Sequence, residues 1–243
     1  MKGYGDCMSD PKEKLIVALD VKTLGEVKEI VEELFPYVGC FKVGLEIITA
    51  EGALRVVRCV HDLGGQVFYD GKLDDIPNTV EETSKVIANM NVKMFNVHAS
   101  AGIEALMAAV DNKRDSLVLA VTVLTSIEEN NANLIFGGPI KAKVLQFALD
   151  AKLAGCDGII CSPQELEFLS EQKELKDLMK ITPGVRPDWA VVGDQKRVLT
   201  PADAIRSGAT ALVIGRPITK PPKEIGGRVE AVKRILEEIA LEM

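Results

Sequence analysis

Residues 66–98, QVFYDGKLDDIPNTVEETSKVIANMNVKMFNVH, contain a strand, a helix and a second strand in their sequence pattern. QVFYD (66–70) and KMFNVH (93–98) are short apolar runs with β-branched and aromatic residues, a composition typical of strands. Pro77 lies between them and suits the first turn of a helix. Near-continuous apolar strands that alternate with helices predict a parallel sheet covered by helices.

The same pattern recurs about every 30 residues along the chain. Six further runs are predicted strands: LIVALD (15–20), GCFKVGL (39–45), SLVLAVTVL (116–124), CDGIICS (156–162), LMKITPG (178–184) and TALVIG (210–215). Apolar residues at helix spacing follow the first strand, and a last helix is predicted from Val229, Val232, Leu236 and Ile239. Another helix is expected over about 50–62.

Eight such units in 243 residues fit a (β/α)8 TIM barrel, an α/β fold of about 250 residues. An open doubly wound sheet commonly has only about five or six strands. We therefore expect one barrel domain over residues 1–243, with residues 1–13 as a flexible or helical N-terminal extension. The stretch 184–200 lacks periodicity, and a connection of that length suggests a loop that covers a ligand.

Composition and charge restrict the partners and the compartment. The formal net charge of -7 gives no electrostatic footprint for nucleic acid or an anionic membrane. No apolar run approaches the length of a membrane span, and the first residues have no signal-peptide core. The five cysteines have no CxxC or metal-ligand spacing, and their odd number argues against a closed disulfide set. These observations predict a cytoplasmic protein.

Polar or charged residues end nearly every predicted strand: Asp20, Lys42, Asp70, His98, Ser126, Ser162, Thr182 and Arg216. In barrels of this kind the carboxyl ends of the strands form the active face. Serine, threonine and aspartate are also common helix caps, so about half of this set is open to a purely structural interpretation.

Charged residues of the second and third units form the strongest candidate site. Lys42 lies inside the apolar run FKVGL, where an unpaired buried ammonium would cost several kcal/mol. If the strand stays extended beyond Asp70, Lys72 points to the same side as that carboxylate. Asp75 follows closely and would complete an alternating network in which both lysines stay protonated. A surface cluster of ion pairs is the structural alternative.

A phosphate site is indicated after the last strand. Gly215 in VIGRP permits close backbone approach, and the planar guanidinium of Arg216 suits a phosphate. Loops after strands 7 and 8 often build such sites, which would add Arg186 and Gln195 of the long loop. The chain has only two histidines and no HExxH, GxGxxG or Walker A motif, so metal, dinucleotide and histidine acid–base chemistry are not expected.

These motifs, taken together, resemble the orotidine 5′-phosphate decarboxylase family over essentially the whole chain. The resemblance rests on LDV, FKVG, the DxKxxDI signature, PNTV, VTVLTS, TPGVRP, GDQKR and VIGRP, in the order typical of bacterial stand-alone enzymes. It implies a TIM barrel that converts orotidine 5′-phosphate to UMP and CO2, the last step of de novo pyrimidine nucleotide synthesis, without metal or organic cofactor.

The resemblance also implies residue roles. Lys42, Asp70, Lys72 and Asp75 correspond to the catalytic set, with Lys72 as the proton donor and Asp70 facing the leaving carboxylate. Asp20 and Lys42 would contact the ribose, and Asp75 and Thr79 would reach the partner's site in a homodimer. The other substrate-binding positions are expected at Ile76 in the signature, at Thr125 and Ser126 for the pyrimidine, and at Pro183, Arg186, Gln195, Gly215 and Arg216 for the phosphate or loop closure.

Two departures from the family pattern concern the signature itself. Gly71 stands where a larger apolar residue is usual, and Asp74 adds a second acidic group beside Asp75.

Two alternatives stay open: a metal-dependent sugar-phosphate decarboxylase or synthase of the same barrel suite, and a nucleotide-binding barrel without catalytic activity. Lys42 disfavours the first, because an ammonium there would oppose a bound cation.

Overall fold

The computed structural model describes residues 10–190 and 199–243. Eight parallel strands form a closed barrel in sequence order, with β8 paired to β1. Their bounds are β1 Leu15–Ala18, β2 Cys40–Gly44, β3 Val67–Leu73, β4 Met94–His98, β5 Leu117–Val121, β6 Gly158–Ile160, β7 Met179–Pro183 and β8 Ala211–Ile214. The predicted α/β barrel and all eight predicted strands are confirmed.

Helices cover the outside of the barrel. They are α1 Leu24–Leu34, α2 Leu45–Glu51, α3 Ala53–Asp62, α4 Pro77–Ala88, α5 Ile103–Asp111, α6 Glu129–Phe136, α7 Ile140–Leu153, α8 Leu166–Ser170, α9 Pro201–Arg206, α10 Arg216–Thr219 and α11 Arg228–Ala240. Short 3-10 helices span Pro11–Lys14, Ala99–Ala101, Pro163–Glu165, Lys173–Leu175 and Lys223–Ile225. No helix in these ranges is long and apolar enough to cross a membrane.

Local sequence explains where these helices begin and end. The Thr23 hydroxyl accepts a hydrogen bond from the Glu26 amide, and Glu26 accepts one from the Thr23 amide, a capping box that starts α1. Pro77 begins α4, as predicted. The helix expected over about 50–62 is confirmed as α3, which begins after Gly52, at φ 83°, whereas the short helix α2 before it was not predicted.

Two apolar layers hold the barrel together. Alternate strand residues such as Ile16, Phe68 and Met94 fill the interior. Their neighbours, among them Val43 and Phe95, pack outward against the helices. Because both faces of each strand are buried, the strand sequences are apolar nearly throughout, and the polar residues within them are few, among them Lys42, Asp70 and Asn96.

The pairing of β3 with β4 changes register next to the strand ends. Tyr69 pairs with Phe95, and the next pair is Leu73 with Val97. Between these two pairs the chain moves forward by four residues in β3 but by only two in β4. The intervening segment, residues 70–72, therefore leaves the regular ladder at the carboxyl end of the barrel. Most of the expected N-terminal extension, residues 1–9, lies outside the described residues, as does the middle of the long loop, residues 191–198.

Candidate active site

A buried carboxylate, that of Asp70, is the centre of a charge network at the carboxyl ends of β1 to β4. Its Oδ1 lies 2.6 Å from Lys72 Nζ and accepts a 2.7 Å hydrogen bond from Asn96 Nδ2. Its Oδ2 lies 3.1 Å from Lys42 Nζ. Lys42 Nζ also donates to Asp20 Oδ1 at 3.1 Å. The structure thus brings together the predicted residues of the first three strands, with two ammonium groups on one carboxylate.

The electrostatics keep this network ionised. Burial by itself would raise the pKa of Asp70, but the charges of Lys42 and Lys72, together with hydrogen bonds from Lys72 and Asn96, hold it below its usual value. For Lys42, burial would lower the pKa, but Asp70 and Asp20 more than offset this and raise it. Each buried charge is stable because an opposite charge lies beside it.

Lys72 has an unusual backbone conformation, with φ at 48° in the left-handed region. For a residue with a side chain this conformation costs about 1–2 kcal/mol. The extended conformation on which the pairing was conditional is therefore not kept at Lys72, although the ammonium still meets Asp70 as predicted. The Lys72 amide, displaced from the ladder, donates a 2.7 Å hydrogen bond to Asn96 Oδ1.

Asn96 is a site residue that the sequence interpretation missed. It is fully buried in β4 and binds both the Lys72 amide and the Asp70 carboxylate through the two ends of its side-chain amide. A signal was present in the sequence, since an asparagine in the middle of the apolar run KMFNVH needs hydrogen-bond partners once it is buried.

Glycines at two strand ends leave room for the charged groups. A Cβ on Gly44 would lie 3.0 Å from Lys42 Nζ, and a Cβ on Gly215 would lie 3.4 Å from Asp20 Oδ2. A side chain at position 44 would therefore push against the ammonium. The glycines of FKVG and VIGRP keep this space open.

The network forms one wall of a cavity of about 300 Å³ at the mouth of the barrel, a size suited to a small ligand. Charged side chains from β1 to β3 lie on one side, and residues after β7 and β8 on the other. Of the predicted site residues, the cavity is lined by Asp20, Lys42, Asp70, Lys72, Thr125, Pro183, Arg186, Gly215 and Arg216. Phe68, Val121 and Ile160 supply apolar surface between the two sides.

Other predicted site residues lie away from this cavity. Asp75, Ile76, Thr79 and Ser126 are exposed and do not line it. The Asp75 carboxylate accepts a hydrogen bond from the Ile76 amide and, within residues 10–190 and 199–243, forms no ion pair. Its expected place in the network of its own chain is wrong, because the turn after β3 carries it outward, and Asp20 supplies the second carboxylate instead. Gln195 lies outside the described residues.

Two of the polar strand ends have other surroundings. Ser162 accepts a hydrogen bond from the Gln164 amide, and Glu165 accepts one from the Ser162 amide, so Ser162 is a structural cap. Burial lowers the pKa of His98; the charge of Asp74 has a smaller raising effect, and that of Lys72 a smaller lowering effect.

The described part of the chain holds no group of three His, Cys, Asp or Glu side chains that could bind a metal ion.

A closed eight-stranded barrel with a lysine–aspartate network at its carboxyl end defines a (β/α)8-barrel enzyme. Residues 13–233 match the family model described as "Orotidine 5'-phosphate decarboxylase / HUMPS family". The chain belongs to this family.

Similar proteins agree with that assignment. The chain is 42% identical to an orotidine 5′-phosphate decarboxylase from Geotalea uraniireducens, over 95% of this chain and 96% of that protein. It is also 42% identical to one from Moorella thermoacetica, over 91% and 94%. A crystal structure of the Lactobacillus acidophilus orotidine 5′-phosphate decarboxylase superposes with a TM-score of 0.78 at 32% identity, covering 93% of this chain and 98% of that one.

Proposed function

We propose that the network around Asp70 decarboxylates orotidine 5′-phosphate to UMP and CO2, with Lys72 as the proton donor. The chain is a carboxy-lyase of pyrimidine nucleotide synthesis, an activity supported by its family and by relatives that share 42% of its residues. The observation that carries the residue assignment is the Lys72 ammonium, fixed 2.6 Å from a buried carboxylate at the wall of the cavity.

The chemical difficulty of this reaction is the electron pair left on the pyrimidine. When the bond between C6 and the carboxylate breaks, CO2 leaves and the pair stays on C6, with no adjacent carbonyl to delocalise it. An ammonium already in place at Lys72 stabilises that charge as it forms. Lys72 then donates a proton to C6, and its neutral amine regains a proton from solvent.

Asp70 has two parts in this mechanism. It orients the Lys72 ammonium, since the two side chains form a 2.6 Å ion pair. It also faces the carboxylate of the substrate, so its negative charge opposes the substrate's before CO2 leaves. The Lys42 ammonium, 3.1 Å from Asp70, keeps that charge stable within the protein.

The remaining cavity residues divide by the part of the nucleotide that they suit. Asp20 and Lys42 present a carboxylate and an ammonium to the ribose hydroxyls. Thr125, on the loop after β5, faces the position assigned to the pyrimidine. Arg186, which follows β7, and Arg216, which begins α10 directly after Gly215, provide guanidinium groups for the phosphate. Ser126 and Gln195 remain assigned to the base and the phosphate by family resemblance alone.

The active form is proposed to be a homodimer. Asp75 and Thr79 are exposed beside Ile76, whose own surface is 65% exposed. Leu45, which follows the neighbouring strand β2, is 54% exposed. A second copy that covers these apolar residues would receive Asp75 and Thr79 at its cavity.

Mixing two inactive variants tests the shared site. Lys72→Ala and Asp75→Asn proteins are each expected to be inactive as homodimers. A mixed dimer would contain one site with both native residues, so activity should return to about a quarter of the wild-type value after random reassortment. Mixed dimers, verified by differently tagged subunits, that stay inactive would contradict the crossing of Asp75.

The activity itself is tested by the loss of orotidine 5′-phosphate absorbance after treatment with EDTA. Turnover that survives chelation supports the proposal, whereas turnover that needs an added divalent cation would favour the sugar-phosphate branch of the family.

The role of Arg216 is tested with two substrates, orotidine 5′-phosphate and orotidine without its phosphate. The wild type should have the lower kcat/KM on orotidine, and Arg216→Ala should reduce the difference in kcat/KM between the two substrates. Equal losses on both substrates would reject Arg216 as the phosphate ligand.

We place this reaction in the cytoplasm. The four cysteines within the described ranges, Cys40, Cys59, Cys156 and Cys161, are free thiols, which supports a reducing compartment. Localisation of a fluorescent fusion tests this placement.

A further inference from the structure

The proposed role of Lys72 requires a backbone segment that holds an unfavourable conformation. Lys72 has φ at 48°, and it follows Gly71 in the stretch where β3 leaves its ladder with β4. A glycine next to such a residue would by itself give the segment more freedom. Something in the surrounding structure must therefore restrict residues 71 and 72.

The ring of Tyr69 occupies the space beside Gly71. A Cβ built on Gly71 would lie 3.1 Å from Tyr69 Cδ1 and 3.3 Å from Cζ, and nearer still to Cε1. The approach to Cε1 is closer than real Cβ atoms come to a neighbour, so the ring or the backbone would have to move. Gly71 does not have a positive φ, so the requirement for glycine comes from the ring and not from the backbone conformation.

Tyr69 is itself firmly placed. Its backbone pairs with Val43 on one side and Phe95 on the other, in the last regular register of β3. Its side chain is partly buried and packs against the outer apolar layer. Position 71 lies on the same side of the chain as Tyr69, since a Cβ on Gly71 would meet the Tyr69 ring. The fixed ring therefore takes the place of a side chain at position 71.

We infer that Tyr69 is a positioning residue for the decarboxylase, whose ring covers Gly71 and restricts the backbone that presents the Lys72 ammonium to Asp70. This inference rests on the proposed function of Lys72. It also accounts for the departure at Gly71 from the larger residue that the family pattern favours, since the bulk missing from position 71 is supplied by Tyr69.

The size exchange between positions 69 and 71 can be tested with a double-mutant cycle. Gly71→Ala places a methyl group against the ring, so kcat is expected to fall by about 100-fold or more, with KM changed by less than about threefold. Tyr69→Leu should lower kcat by about tenfold because the cover is lost. In the double variant, Tyr69→Leu with Gly71→Ala, kcat should recover to within about threefold of that of Tyr69→Leu.

Two controls separate positioning from general damage to the fold. Tyr69→Phe keeps the ring and should retain wild-type kcat. Gly138→Ala adds a methyl group where a Cβ would meet nothing within 4 Å, and should change neither kcat nor Tm. A double variant no more active than Gly71→Ala would overturn the inference, as would a fall in Tm for Tyr69→Leu without any change in kcat.

Crystal structures of the same variants give a readout that does not depend on turnover. In Gly71→Ala, φ of Lys72 or the 2.6 Å distance from Lys72 Nζ to Asp70 Oδ1 should change, and the double variant should restore both. An unchanged Lys72 in Gly71→Ala would overturn the inference even with an active wild-type enzyme. Absence of turnover in the wild type would contradict the proposed function, while the crystallographic comparison would still decide the role of Tyr69.

Discussion

Lysine–carboxylate pairs lie at both ends of the barrel, but they are built differently. At the amino ends of the strands, Lys93 Nζ lies 2.7 Å from Glu13 and donates to the carbonyl of Gly39. Lys113 Nζ lies 2.6 Å from Asp157. Each of these lysines has its own carboxylate, and neither lines the cavity.

At the carboxyl ends of the strands, two lysines share one carboxylate. Asp70 is only 6% exposed and contacts Lys42 and Lys72 together. The Lys72 side chain is 32% exposed and lines the cavity. The comparison teaches that the ion pair alone does not mark a functional site. What distinguishes the carboxyl end is a shared buried carboxylate that fixes an ammonium against open space.

The largest expected effect is that of Lys72→Ala on turnover. In the proposed mechanism the variant loses both the charge that stabilises the carbanion and the proton donor, so kcat should fall by about 10⁴-fold or more while the far-UV circular dichroism is retained. Absorbance assays at high enzyme concentration measure the residual rate. Turnover within tenfold of the wild type would remove Lys72 from the mechanism.

Asn96→Ala should have the next largest effect. The substitution leaves the Lys72 amide without its acceptor and removes one donor from Asp70, so kcat should fall by about 10- to 100-fold. Comparison of kcat and KM with the melting temperature separates the site from the fold. A variant that melts earlier but turns over normally would show that Asn96 only supports the strand.

Glu165 provides a carboxylate without an ion pair among the described residues. Burial raises its pKa to about 7. Because the pKa of Glu165 is higher in the folded state, its protonation stabilises the fold. This contribution is fully present below the pKa of the unfolded state, about 4.3, and is lost as the pH rises through 7. Glutamine does not titrate, so Glu165→Gln does not lose this contribution. The unfolding free energy of Glu165→Gln minus that of the wild type should therefore rise by about 1–3 kcal/mol from pH 4 to pH 8.

Urea unfolding of both proteins at several pH values measures this difference. A difference in unfolding free energy between the wild type and Glu165→Gln that does not vary with pH would show that Glu165 titrates normally.

Asp70 should behave in the opposite sense, because its pKa is lowered. Its stabilising contribution is present at neutral pH and is lost only in acid.

The smallest effect is expected at the amino end of the barrel. Lys113→Ala removes a partly exposed ion pair and should lower the unfolding free energy by about 1 kcal/mol. Turnover should stay within about twofold of the wild type, measured in the same assay as Lys72→Ala. A large loss of kcat in Lys113→Ala would contradict the functional separation of the two ends.

Much of this architecture could be predicted because it depends on local patterns. The eight apolar runs predict the barrel strands, since both faces of a parallel strand are buried. The grouping of Lys42, Asp70 and Lys72 follows from their places at neighbouring strand ends. A buried lysine is stable only beside an opposite charge, and Lys42 forms ion pairs with both Asp20 and Asp70.

The remaining features depend on contacts distant in sequence. The left-handed conformation of Lys72 is held by a hydrogen bond to Asn96, 24 residues away, which no local periodicity reveals. The outward turn of Asp75 and the short helix α2 before Gly52 were missed for a different reason, because each depends on a few backbone angles and not on an apolar period. Residue types predicted which charged groups meet at the barrel end better than they predicted its backbone.

The left-handed conformation of Lys72 implies a trade-off between stability and activity at a single position. Glycine adopts a positive φ without steric cost, whereas the proposed mechanism requires an ammonium at position 72. Lys72→Gly is therefore expected to melt at a higher temperature than Lys72→Ala, although both lack the proton donor. Glycine at position 72 would relieve the backbone but would also remove the ion pair with Asp70, so the lysine combines an unfavourable φ with a charge that the proposed mechanism uses.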